Sequence, residues 1–251
     1  MGGLKNEYSV ILLSAGVGSR FRKSIRKPKC LLNINNKSLI HRIIKQLIKL
    51  GINDINIVVG FQKTKIQKHL RQFKKIKINY IFNKYYKNYG SGYSWFEALK
   101  QVDIKKKCIL LHTDIIFDPT YLSDIIFNKH ENIIGQTSYN KNGLNDLSLV
   151  LESKKNHQIK KINYRKNIKD STKEVICINK FSSSTTINFF LFMKNYFKKA
   201  NNKDKTWELI VNDFIINKKI RVFHQGVSNK KWYNINSQID YKKAKEAFYK
   251  G

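Results

Sequence analysis

Acidic residues are scarce in this chain. Its 251 residues carry 17 Asp and Glu against 49 Lys and Arg, a formal net charge of +32. Such a field draws polyanions, nucleic acid first among them. The lysines are nevertheless spread over the whole length in short clusters such as Lys74-Lys75, alongside abundant Ile and Asn, and no recognisable nucleic-acid motif accompanies them. The charge is therefore read as compositional bias on solvated faces, attracting nucleotides and phosphorylated substrates, and no nucleic-acid partner is favoured. Cysteine is also sparse: Cys30, Cys108 and Cys177 are odd in number, far apart and in no metal-ligand spacing, so neither a disulfide framework nor a zinc site is suggested. The six histidines are scattered, with no pair at one-turn helical spacing, so each is read as structural or solvated and not as a metal ligand. No apolar run approaches the eighteen or so residues of a membrane span; the longest early one, Val10 to Leu13, is bounded by Ser14 and Gly16 and is too short for a signal peptide. Asn6 stands where a myristoylation motif needs Ser or Thr, so the cytoplasm is the expected location. Two prolines and no Pro/Gly/Ser-rich stretch leave no sign of a linker, and the expectation is one domain over 1–251, with a nucleotide-binding half to about 118 and an acceptor-binding half over about 119–251.

What the chain does have is alternation. Short β-rich apolar runs at Tyr8–Leu13, Ile55–Val59 and Ile76–Phe82 are separated by amphipathic stretches at Ser38–Leu50 and Thr64–Phe73. Ser38 suits a helix N-cap, Leu39, Ile43, Ile44, Leu47 and Leu50 fall at helical spacing, and Gly51 closes the helix. Strands joined by such helices run parallel with right-handed crossovers. A helix over Tyr93–Val102 precedes Cys108-Ile109-Leu110-Leu111, a run apolar enough to be a central strand buried on both faces. The fold class is α/β, a Rossmann-like, mostly parallel sheet flanked by helices. Asp114 stands just past the carboxyl end of the central strand, where open α/β sheets place ligands. After Pro119 the pattern loosens: a helix at Tyr121–Phe127, strands near Ile133–Tyr139, Ser148–Leu151 and Val175–Ile178, a polar stretch over Ser153–Lys173, helices near Ile187–Ala200 and Thr206–Ile216, a strand at Ile220–Phe223 and a last helix at Ile239–Phe248.

The sharpest local feature is Leu12-Leu13-Ser14-Ala15-Gly16-Val17-Gly18-Ser19-Arg20, followed by Lys27-Pro28-Lys29-Cys30-Leu31. Small residues after a first strand let backbone N–H groups approach a phosphate, and Arg20 and Lys29 add the charge a triphosphate needs. No Gly-Lys-Ser/Thr closes the loop, so it is not a Walker A motif, and Phe21 fills the third-glycine position of the dinucleotide fingerprint. An ordinary glycine-rich βα turn has the same local pattern.

Gly16-x-Gly18-Ser19-Arg20 with Pro28-Lys29-x-Leu31 resembles the signature of the nucleoside-diphospho-sugar pyrophosphorylase-like nucleotidyltransferases, and the length is similar to their small phosphocholine cytidylyltransferase-like members. Three further segments match in order. Asn83 to Ser94 resembles the family's base-reading segment, Leu111-His112-Thr113-Asp114 the strand end whose Asp binds Mg²⁺, and Trp232-Tyr233-Asn234-Ile235-Asn236 with Asp240-Tyr241 and Ala244 the closing pattern. The resemblance implies a nucleotide-diphospho-sugar transferase fold and a cytidylyltransferase that joins CMP from CTP to a small phosphorylated or phosphonate acceptor. It implies that Ser14, Ala15, Gly16, Gly18, Ser19, Arg20, Asn83, Gly90, Ser91 and Ser94 hold the nucleotide, that Arg20, Lys29 and Asp114 serve catalysis, and that Asp114 and Asn236 hold Mg²⁺. One departure is plain: Asn234 and Asn236 stand where the family has acids, and an amide oxygen brings no charge to a metal.

The acceptor stays open at this point. Tyr85, Tyr86, Tyr89, Tyr93, Trp95, Trp232 and Tyr233 flank the expected site and suit a quaternary ammonium, a core or base stacking. A primary amine would want a carboxylate, for which Glu97, Asp118, Asp146, Glu152, Glu208 and Asp213 are the available acids. His112 is either a buried, satisfied residue or a neighbour of the metal site. A sugar-1-phosphate nucleotidyltransferase using another NTP is the runner-up, a catalytically impaired nucleotide-binding protein the second alternative, and a homodimer the expected assembly.

Overall fold

The computed structural model describes residues 4, 7–18, 21, 27–138, 148–153, 156–164, 173–226 and 231–249. The first half is built from β1 (Tyr8–Ser14), the hairpin β2 (Asn33–Ile34) and β3 (Lys37–Ser38), α1 (Leu39–Lys49), β4 (Asp54–Val59), α2 (Lys63–Leu70), β5 (Lys77–Phe82), α3 (Ser91–Leu99) and β6 (Lys107–His112). All seven residues of β1 are buried because parallel neighbours flank it on both edges: Leu12 registers with Ile57 of β4 and with Leu111 of β6. Ser38 caps α1 by accepting a 3.2 Å hydrogen bond from His41 N, and Gly51 ends the helix at φ 78°.

The pleat of β1 sorts two cores. Val10 and Leu12 face α1, α2 and the later helix α4 (Pro119–Ile126), whereas Ile11 and Leu13 face Trp95 and Leu99 of α3 and the aromatic cluster of the second half. The result is a three-layer α/β/α arrangement with the carboxyl ends of β1, β4 and β6 on one rim.

The second half continues the same sheet. After β7 (Ile115–Phe117) and α4 come β8 (Ile133–Ser138), β9 (Ser148–Glu152), β10 (Ile159–Tyr164), β11 (Lys173–Phe181), α5 (Ser183–Tyr196), α6 (Trp207–Lys218), β12 (Phe223–Gly226), β13 (Trp232–Asn234) and α7 (Gln238–Phe248). β11 runs antiparallel beside β6, giving the order β10-β9-β11-β6-β1-β4-β5, with β8 and β12 branching from β11. A bridge between Gln158 and Phe223, with Ile159 N donating to Val222 O at 2.8 Å, joins the start of β10 to β12. The strands β12, β8, β11, β9 and β10 thereby close a ring.

Several sequence expectations shift. The polar stretch 153–173 contains β10, whose burial is hidden in the sequence because a register shift between Ile159 and Lys161 puts Ile159 and Ile162 on the inner face three residues apart. The helix expected at 187–200 starts at Ser183, since Ser182 caps it by accepting from Thr185 N, and it ends at Tyr196. The helix expected to reach Phe73 stops at Leu70, the strand expected at 220–223 is found at Phe223–Gly226, β11 outruns Val175–Ile178 at both ends, and β13 pairs with β7 where no strand was expected.

Candidate active site

A cleft opens at the carboxyl rim of the sheet, between the loop after β1 and the start of α3. Its floor ties two strands together: the Ser14 and Thr113 hydroxyls lie 2.9 Å apart, and Thr113 Oγ1 donates to Leu13 O at 2.9 Å. Gly16 sits on the lip with open space around it, so its backbone is free to meet a phosphate. Gly18 has φ 62°, and a Cβ there would lie 3.2 Å from Lys29 Cε and Cγ, so the missing side chain gives the Lys29 stem its path into the cleft. Ala15 also lines the cleft. Ser19 and Arg20 fall outside the described residues.

Lys29 organises the polar centre. Its Nζ lies 3.2 Å from Asp114 Oδ2 and 2.9 Å from Asn236 Oδ1, joining residues from opposite ends of the chain at one point. Burial pushes the Asp114 carboxyl up, but the Lys29 ammonium, the His112 imidazole and hydrogen bonds from Lys29 and the backbone outweigh it and hold the group below the usual carboxylate range. His112 Nδ1 is 3.8 Å from Asp114 Oδ1. Beneath them the Cys30 thiol is pushed up to about 12, first by burial and then by the Asp114 charge, so it stays protonated and inert.

Asn236 arrives by a separate construction. β13 pairs with β7, Ile235 N donates to Asp114 O at 2.8 Å, and Asp240 Oδ2 accepts from the N–H groups of Asn236 and Ser237 at 3.0 and 2.7 Å. Ser237 and Asp240 form the capping box of α7, a Ser-x-x-acid signal visible in the sequence. A small core of Phe21, Leu32, Leu39, Ile116, Ile235 and Ala244 locks this segment against the start of the chain. Asn234 plays no comparable part, as its Oδ1 is buried without a hydrogen-bond partner. Asp114 and Asn236 offer a carboxylate and an amide oxygen converging on one cation, the hard-oxygen donor type that Mg²⁺ takes when it keeps waters and substrate phosphates as its other ligands.

The opposite wall comes from residues 83–94. Ser91 and Ser94 both line the cleft; Ser91 Oγ accepts from Trp207 N at 3.1 Å and Ser94 Oγ from Asn83 Nδ2 at 2.9 Å. A hydroxyl that accepts still has its O–H to give, so each can donate to a ligand. Asn83 and Gly90 do not line the cleft. Asn83 is fully buried, with its amide held between Ser94 Oγ and Tyr85 N, and Gly90 packs so closely on the 203–205 loop that a Cβ would collide with the carbonyls of Asp204 and Lys205. Of the seven flanking aromatics, Tyr86 and Tyr89 line the cleft, whereas Trp95 is core against Phe181 and Phe189. Among the described residues, Asp114 is the acid of the cleft: Glu97 pairs with Lys100, Asp118 caps α4, and Asp213 accepts from Tyr196 OH. Asp146 lies outside the described residues.

Comparison with known proteins places this geometry. Residues 10–140 match the MobA-like NTP transferase domain. The chain is 26% identical over 239 residues to a choline-phosphate cytidylyltransferase of Streptococcus pneumoniae, covering 94% of this chain and 96% of that protein. It is 25% identical over 221 residues to the bifunctional protein GlmU of Ruthia magnifica, covering 84% of this chain but 44% of that longer protein. Among solved structures, the CTP:phosphocholine cytidylyltransferase of Streptococcus pneumoniae superposes with a TM-score of 0.76 at 22% identity over 96% of this chain and 99% of that one. The inositol-1-phosphate CTP transferase of T. maritima gives 0.79 at 19% identity over 98% and 96%.

Proposed function

The chain belongs to the MobA-like NTP transferase family and is a nucleotidyltransferase, and we propose that it is a cytidylyltransferase that moves CMP from CTP to a small phosphorylated or phosphonate acceptor, with Mg²⁺ as cofactor. The observation that carries this reading is the convergence of Lys29, Asp114 and Asn236 on one point beneath an open glycine loop. The choice of CTP is supported by the near end-to-end match to a choline-phosphate cytidylyltransferase.

A phosphate or phosphonate oxygen of the acceptor is already a nucleophile near neutral pH, so no general base is needed. It forms a bond to the α-phosphorus of CTP while the bond from that phosphorus to the bridging oxygen breaks, and the electron pair leaves with pyrophosphate. The protein's work is alignment and charge neutralisation. The Gly16–Gly18 backbone receives the triphosphate, Lys29 neutralises phosphate oxygens, and Ser91 and Ser94 donate to the base. Asp114 and Asn236 would hold Mg²⁺, which supplies positive charge against the departing pyrophosphate. With Tyr86 and Tyr89 on the wall and no acid but Asp114 among the described lining residues, a quaternary ammonium acceptor of the phosphocholine type fits better than a primary amine.

The test is pyrophosphate release from each of the four NTPs with phosphocholine, phosphoethanolamine, aminoethylphosphonate and hexose 1-phosphates. The expected result is turnover with CTP and phosphocholine, reduced by at least about 100-fold in Asp114→Ala. Turnover with a different NTP and a hexose 1-phosphate would replace this reading with a sugar-nucleotide one. Activity that survives Asp114→Ala would remove the proposed centre.

A further inference from the structure

A second cluster of ligand-type side chains lies at the seam of the strand ring, and none of its members lines the nucleotide cleft. We propose that Glu152, His157 and His224 form a binding site for Zn²⁺ or a divalent ion of the same N/O-preferring type, pinning the β9–β10 turn to β12.

Each ligand comes from a different part of the seam. Glu152 ends β9, His157 sits in the turn closed by Ser153 N donating to Gln158 O at 2.8 Å, and His224 lies on β12, next to the Phe223 that bridges to Gln158. One ligand atom from each residue lies within 4.8 Å of the other two. His224 Nε2 is 2.7 Å from Glu152 Oε2, and His157 Nδ1 is 3.9 Å from Glu152 Oε1. The two imidazole rings stand nearly perpendicular at 87°, with their centroids 5.1 Å apart.

Three features distinguish the cluster from a chance meeting of polar groups. First, His224 is mostly buried, yet its Nδ1 has no hydrogen-bond partner, and its Nε2 meets the Glu152 carboxylate 2.7 Å away. Buried polar groups are rarely left so. Second, Glu152 is steadied from behind by Gln136, fully buried, whose Nε2 donates to Oε2 at 3.1 Å, the outer-shell support that ligating carboxylates usually have. Third, His157, at φ 56°, is fixed in its turn by its own N–H donating to Ser153 O at 2.9 Å, so its ring is carried beside Glu152 on a pinned backbone.

The chemistry selects the metal. Two imidazoles and one carboxylate suit Zn²⁺ and its neighbours, whereas Mg²⁺ prefers oxygen alone. Zn–ligand bonds of about 2.0–2.1 Å require donors roughly 3.3 Å apart, so His157 Nδ1 has to draw in from 3.9 Å while Glu152 Oε2 and His224 Nε2 open from 2.7 Å. His157, 67% exposed, is free to make its approach, while Glu152 and His224, 17% and 13% exposed, part by about 0.6 Å. Water takes the remaining position. The bound ion ties the turn to β12 where the ring closes and so stiffens the half of the protein expected to hold the acceptor.

The experiment uses tag-free full-length protein stripped with EDTA and titrated with ZnCl₂ by calorimetry, with thermal denaturation in parallel. One Zn²⁺ per chain and a rise in Tm are expected. His157→Ala, in an exposed turn, should leave the fold intact and weaken Zn²⁺ binding by at least about 100-fold, more than loss of an outer-shell partner costs; Glu152→Gln should do the same. Asp114→Ala should bind Zn²⁺ as the unmodified protein does. Co²⁺ in place of Zn²⁺ should give visible bands without thiolate charge transfer, because all three cysteines are buried apart from the cluster. Absence of Zn²⁺ binding, equal affinity in His157→Ala, or loss in Asp114→Ala instead would overturn the site.

Discussion

Asn236→Asp places a second carboxylate beside Asp114, and the structure allows its effect on metal binding to be worked out. The replaced oxygen lies 2.9 Å from Lys29 Nζ, at the point where a cation is held. A unit charge at that separation attracts a unit positive charge by about 6 kcal/mol at an effective dielectric near 20. A divalent ion gains this twice and the Lys29 ammonium once, while repulsion between the two carboxylates is common to both states and cancels in their exchange. The advantage to Mg²⁺ is therefore at most about 6 kcal/mol; screening in an open cleft reduces it to roughly 2 kcal/mol, or about 30-fold. The assay is the Mg²⁺ concentration giving half-maximal pyrophosphate release at saturating CTP and acceptor, with Mn²⁺ binding followed by electron paramagnetic resonance as a readout independent of turnover. Both should move to lower concentration by about 30-fold. An unchanged or weakened metal dependence would mean that Asn236 Oδ1 does not face the metal, and the reasoning would fail.

Three further outcomes are expected. Gly90→Ala drives a methyl group into the carbonyls of Asp204 and Lys205 and should destabilise the fold by about 3 kcal/mol or more, seen as a fall in denaturation midpoint with unchanged slope. Burial raises the Glu174 carboxyl to about 7, so the folded state favours its protonated form. The stability this group contributes is complete below its unfolded pKa of about 4.5 and is lost as pH rises through about 7. Glu174→Gln should thus gain about 2 kcal/mol at pH 8 and little at pH 4, measured by urea denaturation at both. Mn²⁺ should bind the free protein weakly and the CTP-bound protein at least tenfold more tightly; equal affinities would refute the charge balance described below.

The first half of the fold was legible because its signals are local. Cys108 to Leu111 needs no partner to read as a doubly buried strand, and Ser38 and Gly51 mark both ends of α1 by backbone requirements alone. The second half depends on long-range pairing. β10 carries Ile159 and Ile162 at a spacing that belongs to neither a strand nor a helix, and the register shift that reconciles them exists only beside β9. The sequence pattern starts a helix near Ile187, yet the hydroxyls of Ser182 to Thr186 supply the cap and first turn of α5. The histidines at 157 and 224 meet only because β10 and β12 close the ring.

The site divides the same way, and its least legible member explains its charge. Gly18, Lys29 and Asp114 follow from a loop and a strand end, whereas Asn236 reaches them through β13, the Ile235 N–H bond to Asp114 O and the Asp240 cap. One carboxylate, one ammonium and one neutral amide sum to zero charge. Two carboxylates around the same Lys29 would leave a net negative charge that calls for a divalent ion even without nucleotide. With Asn236 the resting centre is already balanced, so Lys29 can stay in place until a triphosphate brings its own negative charge and its own metal. A surface of +32 concentrates such polyanions. A ligand that keeps its oxygen but loses its charge would thus shift the task of recruiting an ion from the protein to the incoming nucleotide.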